Sequence, residues 1–124
     1  MTSLCLEVVY EGSALTVYGA VNVDDECLVS SWLAELDLQT KTQFRSRLNR
    51  LTSVGYLRSP EEMRILQCPG EPPVHEIKTR SGYRMYVVKN DPHWVATHGT
   101  KKPPDRRVCG EAQRARDIWK EAQR

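Results

Sequence analysis

Four basic side chains crowd one short stretch, "VHEIKTRSGYRMYVVK", where Lys78, Arg80, Arg84 and Lys89 alternate with residues that favour strands. Shortly afterwards "THGTKKPPDRR" adds His98, the pair Lys101 and Lys102, and the pair Arg106 and Arg107. Arginine offers a planar two-pronged fork to phosphate oxygens, lysine a compact charge, and histidine a proton that can move near neutral pH. With Tyr86 as a flat ring between the charges, the set has what an RNA reader needs: phosphate contacts and a surface for stacking. A charged outer face on an antiparallel sheet also has a plain reading as a solvated surface. What favours an anion site is the convergence of five basic side chains and a histidine at one end of the strands.

Side chains alternate across a strand, so hairpin register decides which of these residues share a face. Ile77, Met85 and Val87 should face the core, which requires odd positions to pair with odd ones. A three-residue loop, Ser81 to Tyr83, satisfies this and sets Arg80 opposite Arg84 and Lys78 opposite Tyr86. The resulting face reads Glu76, Lys78, Arg80, Arg84, Tyr86. Like charges directly opposed are unfavourable in a sheet, and a bound anion would relieve them.

The elements that must hold this ribbon are legible from periodicity. "LCLEVVY" and "ALTVYGAV", separated by "EGS", form a two-stranded start. "NVDDECLVSSWLAELD" changes to helical period, with Asn22 or Asp24 as cap and Leu28, Trp32 and Leu36 on one side. "TKTQFRSRLNRLTSVG" follows with Thr40 as cap, the stripe Phe44, Leu48 and Leu51, and Gly55 as stop. The very short link predicts an antiparallel helical hairpin. Arg45, Arg47 and Arg50 lie off the stripe as a solvated helix face. "SPEEMRIL" reads as a short helix opened by Pro60, "QCPGEPP" as a breaker-rich loop, and "VHEIKTR", "YRMYVVK" and "HWVATHG" as three strands. "VCGEAQRARDIWKEAQR" closes the chain as a helix. The expected fold class is α+β: an antiparallel or mixed sheet packed against an N-terminal helical hairpin, with a C-terminal helix, in one domain over residues 1–124.

The chain has 124 residues, 40% of them hydrophobic, enough for one domain with its own core. It has no run of about 18 apolar residues, and its first residues lack the basic region and cleavage site of a leader, so a soluble, cytoplasmic protein without membrane contact is expected. Cys5, Cys27, Cys68 and Cys109 fit no paired metal-ligand spacing and read as reduced thiols; no metal or cofactor is called for. The net charge of +2 hides an asymmetry: residues 1–62 carry 5 Lys/Arg against 9 Asp/Glu, residues 63–124 carry 13 against 7. The basic half is the half that holds the ribbon.

In the helical pair ending "RLTSVG", the link "GEPPVHEIK", the ribbon "SGYRMYVV", the segment "THGTKKP" and the closing "EAQRARDIWKEA", the chain resembles the RelE/HigB superfamily of toxin–antitoxin ribonucleases, in particular its phage-type, HigB-like branch. The resemblance covers most of the chain. It implies a RelE-like toxin fold and a ribosome-dependent endonuclease that cuts mRNA to inhibit translation. It also implies a cognate antitoxin, often a helix-turn-helix protein, through which alone operator DNA would be met. By position Arg84 matches the family's arginine at the scissile phosphate, Lys78 a basic position across the ribbon, and Lys101 and Lys102 the basic pair after the last strand. Thr100 stands where an aromatic is common, and Trp119 is the only aromatic of the last helix.

The chemistry so implied is attack of a 2′-hydroxyl on its own phosphate, leaving a 2′,3′-cyclic phosphate and a 5′-hydroxyl. Arg84 with Lys101 or Lys102 would stabilise the phosphorane, and Lys78, its pKa depressed by Arg80 and Arg84, could take the hydroxyl proton. His98 or His75 could protonate the leaving oxygen; His75 shares the core-side parity of Ile77, which makes His98 the functional candidate. Arg80, Tyr86, Arg106 and Arg107 complete the set as RNA-binding residues. Two alternatives stand beside this one: a gyrase-inhibiting toxin of the ParE branch, and a non-catalytic RNA- or protein-binding module.

Overall fold

The computed structural model describes residues 3–124. Its elements run β1 (Leu6–Glu11), β2 (Thr16–Ala20), α1 (Leu28–Glu35), α2 (Leu38–Val54), β3 (Met63–Ile65), β4 (Val74–Lys78), β5 (Tyr83–Asn90), β6 (His93–Lys101) and α3 (Val108–Ala122), with a 3-10 turn at Asp105–Arg107 before α3. The six strands form one sheet in the order β1-β2-β6-β5-β4-β3. All neighbours are antiparallel except β2 and β6, which run parallel through Val17–Trp94, Tyr18–Val95 and Gly19–Ala96. No helix of the described residues is long and apolar enough to cross a membrane.

The expected N-terminal helical hairpin is corrected here. Two strands precede the helices, and β2 takes an inner place in the sheet, where Val17 and Ala20 are fully buried. The reason lies in what the helices need: short amphipathic helices acquire most of their stability from a surface on which to bury their apolar stripe. Here that surface is the sheet. α1 rests on β6 and β2 and α2 on β1 and β2, and the two helices meet edge-on at Trp32 and Phe44, with ring centroids 5.4 Å apart. The pair is docked on the sheet and not packed as a hairpin on itself.

Apolar side chains divide between the two faces. Val17, Val29, Phe44, Leu48, Leu51, Met63, Ile77, Met85, Val87 and Ala96 form the core under α1 and α2. Ala20, Val74, Tyr86, Val88, Val95, Ala112, Ala115, Ile118 and Trp119 form the core under α3. Trp32 and Trp119 are thus packing residues. The small alanines of α3 let it lie close to the strands.

Local chemistry moved several boundaries. Asn22 accepts from the amides of Asp24 and Glu26, each at 2.9 Å, so it closes a turn and leaves α1 to begin only at Leu28. Asp37, not Thr40, caps α2: its carboxylate accepts from the Thr40 amide at 2.9 Å. Gly55, in the left-handed region at φ 97°, ends α2 as expected. The segment read as a short helix at "SPEEMRIL" is a turn followed by edge strand β3, because Met63–Ile65 pair with β4.

The reduced-thiol expectation is corrected for one pair. Cys68 and Cys109 form a disulfide, with Cα atoms 5.4 Å apart, that ties the breaker-rich loop to the first turn of α3. Arg116 reinforces the same junction by donating to the carbonyls of Cys68, Pro69 and Pro72 at 3.1, 2.7 and 2.9 Å. A separation of 41 residues along the chain gives no hint of this proximity. Cys5 and Cys27 are free thiols.

Candidate functional site: a basic mouth on the β4–β5 ribbon

Hairpin register controls the site, and it differs from expectation by two residues. Lys78 pairs with Arg84, Glu76 with Tyr86, and Ile77 with Met85. The loop has three residues but is Arg80 to Gly82, closed by the Thr79 amide bonded to the Tyr83 carbonyl at 3.1 Å. Gly82 explains the shift: at φ 89° it takes the left-handed position that ends a three-residue hairpin loop, a position glycine fills without strain. The parity of the faces is as expected, while Arg80 leaves the ribbon for the loop. There it is exposed, and its amide donates to Gln43 of α2 at 2.8 Å.

Lys78, Arg84 and Lys102 come together at the mouth of the ribbon. Arg84 is buried, its Nε 3.7 Å from Oε2 of Glu76, and it donates to the Tyr83 carbonyl at 3.1 Å. Glu76, itself only 1% exposed, accepts from Arg64 Nε at 2.6 Å through its other oxygen. Lys78 is half-buried and donates to the Pro60 carbonyl at 3.0 Å. Its pKa is lowered, first by burial and then by Arg84, Arg64 and Lys102, against the opposing pull of Glu76. Lys101 and Lys102 are exposed at the end of β6, where the Lys102 amide donates to the Gly82 carbonyl at 2.7 Å and so fixes the mouth to the hairpin loop. Arg106 and Arg107 stand exposed in the 3-10 turn a few residues beyond, with no ion pair among the described residues.

Behind the mouth, the same face is closed. Tyr86 is fully buried, stacked on His98 at 4.6 Å with rings 17° apart, and its hydroxyl lies 3.0 Å from Thr100 Oγ1. Burial pushes its pKa up to about 12. It offers no surface for a base, which overturns its expected stacking role. His98 is 2% exposed, with Nδ1 3.1 Å from Thr97 Oγ1 and Nε2 3.3 Å from Glu111. Burial, and secondarily Arg114, lowers its pKa to about 3. A ring held neutral and shielded from solvent is no proton donor to an incoming strand, so the structure does not support His98 as general acid. His75 is half-buried, as its parity suggested, and packs edge-on against Trp94 at 5.0 Å.

A second buried carboxylate escaped the sequence reading. Glu62, 3% exposed, gathers Arg47, Arg50 and Arg58 at 3.1, 2.7 and 3.5 Å. Burial alone would raise its pKa, but the Arg58 amide, Arg47 and Arg50 outweigh that effect and hold it low. Arg47 is buried too, and its Nε donates to the Lys78 carbonyl at 2.8 Å, so the helix face expected to be solvated braces the ribbon. Of the three arginines only Arg45 is exposed. A signal was present: the adjacent pair Glu61 and Glu62 closes the acidic half of the chain, immediately before the basic half begins.

Around the mouth, then, two buried glutamates are outnumbered by the cations they hold. Among the described residues, no three His, Cys, Asp or Glu side chains gather in a way that could hold a metal ion. The arrangement can bind and polarise a phosphate, and one of its lysines loses its proton more readily than an ordinary lysine. No protein-family model and no curated protein matches the chain.

Proposed function

We propose that the chain is an endoribonuclease toxin of a toxin–antitoxin pair that cuts mRNA on the ribosome in the cytoplasm. The single observation that carries this reading is the convergence of Lys78, Arg84 and Lys102 at the ribbon mouth. In the reaction Lys78 Nζ, in its neutral form, takes the proton of a 2′-hydroxyl. The freed oxygen attacks the adjacent phosphorus, and the bond from phosphorus to the 5′-oxygen breaks. The products are a 2′,3′-cyclic phosphate and a 5′-hydroxyl, whose proton comes from Lys102 or water, His98 being enclosed and Lys101 lying beside Tyr83 on the other face of the sheet. Arg84 and Lys102 offset the charge that grows on the non-bridging oxygens. The exposed Arg80, Arg106 and Arg107 hold neighbouring phosphates. The neutralising partner is an antitoxin, through which alone operator DNA is met.

The test is to express the chain beside a Lys101→Ala/Lys102→Ala variant and to map RNA 5′ ends. New 5′-hydroxyl ends inside translated frames, lost in the variant, support the reading. Growth arrest without such ends points to gyrase. The enclosure of His98 favours one second reading, a module that binds RNA without cleaving it; RNA affinity without new ends would establish that reading in place of the first.

A further inference from the structure

The two edges of the sheet are built differently. β3, at one edge, has three residues, and its Met63 amide is already taken by the Arg58 carbonyl at 3.1 Å. β1, at the other, has six residues, and among the described residues no strand pairs with its outer side. The Val21 amide donates to the Cys5 carbonyl at 2.9 Å, and by the alternation of an antiparallel ladder the amides of Leu6 and Val8 point outward. Val8 is 54% exposed. A bulge between Val8 and Tyr10 interrupts the ladder, so the regular open edge is the first half of β1, Leu6 to Val8, which remains a template for another strand.

Beside this edge lies a cavity of about 330 Å³ between β1, α1 and α2, floored by Val9, Leu33 and Phe44 and bordered by Lys41 and Arg45. Neither cation has a carboxylate partner among the described residues. The edge itself carries the complementary charge: Glu7 is exposed on this side of the sheet, where it accepts from Ser30 of α1 at 3.0 Å.

We propose that β1 pairs with β1 of a second copy of this chain, joining two sheets across a two-fold axis. With Val8 opposite Val8 of the second copy, the same face of both sheets lies on the same side and each copy's Glu7 falls opposite the other's Val9, on the floor of the cavity that Lys41 and Arg45 border, and not opposite the other Glu7. Backbone hydrogen bonds through Leu6 and Val8 supply the pairing, and the groove supplies the specificity. The interface lies at the far end of the strand order from β3 and β4, leaving the ribbon mouth open.

Sedimentation of the full chain over a wide concentration range tests this. The expected result is a mass rising from the 14.2 kDa of one chain towards twice that value. Val8→Pro, which removes an outward amide, and Val8→Lys, which places a charge at the edge, should each raise the dimer dissociation constant about tenfold or more with the amide spectrum otherwise retained. Glu7→Lys should weaken the dimer, and adding Lys41→Glu and Arg45→Glu should restore it. A chain that stays monomeric at every concentration, a dimer indifferent to both Val8 variants, or a charge reversal that restores nothing would overturn the proposal.

Discussion

Lys78 and Lys102 stand at the open end of the sheet face that α3 covers, while Tyr86 and His98, next along the same strands, are sealed behind them. One face thus holds two electrostatic environments. At the mouth, cations outnumber the carboxylate between them, water reaches the lysines, and an anion can complete the arrangement. Behind it, stacking, neighbouring hydroxyls and Glu111 complete the groups already, and burial holds the imidazole neutral. The difference teaches that residue type does not settle a catalytic role: a histidine suited to proton transfer by its ordinary pKa is disqualified by its surroundings, and a lysine is brought nearer to it.

The sharpest way to break the comparison is at the carboxylate under the mouth. Glu76→Ala should leave the buried Arg84 uncompensated and cost about 3–5 kcal/mol in urea denaturation. A smaller effect is expected behind the mouth, where His98→Leu removes bonds to Thr97 and Glu111 at a cost of about 1–3 kcal/mol near neutral pH. Its pH dependence is diagnostic. His98 has a folded pKa of about 3, below the ordinary 6.5, so between those values the unfolded chain binds a proton that the folded chain refuses, and stability falls as pH drops through that window. In His98→Leu the stability slope there should shrink by about 1.4 kcal/mol per pH unit. Smaller still in stability, but not in function, is Lys101→Ala/Lys102→Ala at two exposed positions. Unfolding should change by less than about 0.5 kcal/mol, while the salt dependence of single-stranded RNA binding should flatten by about 0.7 in log–log slope for each phosphate that the variant no longer holds. Least of all, Arg80→Ala in the hairpin loop should leave stability unchanged and weaken RNA binding only slightly.

Much of this face was legible in the sequence. The alternation of Ile77, Met85 and Val87 against Lys78, Arg84 and Tyr86 set the parity of the ribbon, and parity survives an error of two in register. Gly82, read as the left-handed residue that ends the loop, would have set the register as well. What could not be read was depth. The pairings of Tyr86 with His98 and of Glu76 with Arg84 and Arg64 depend on how far α3 and the neighbouring strands extend over them, which strand alternation does not reveal. The same blindness hid the Glu62 cluster, built from residues on α2 and in the turn before β3, and the Cys68–Cys109 disulfide. Nor did two well-read helical periods disclose that β1 and β2 provide their floor.

The central claim is that chemistry belongs to the mouth and not to the enclosed histidine. Mapping RNA 5′ ends in cells expressing the native chain, His98→Leu or Lys101→Ala/Lys102→Ala, each checked for soluble protein, tests it most directly. New 5′-hydroxyl ends with the native chain and with His98→Leu, absent with the lysine pair removed, are the expected result. Ends that vanish with His98→Leu but persist without the lysines, or ends absent from all three, would contradict it.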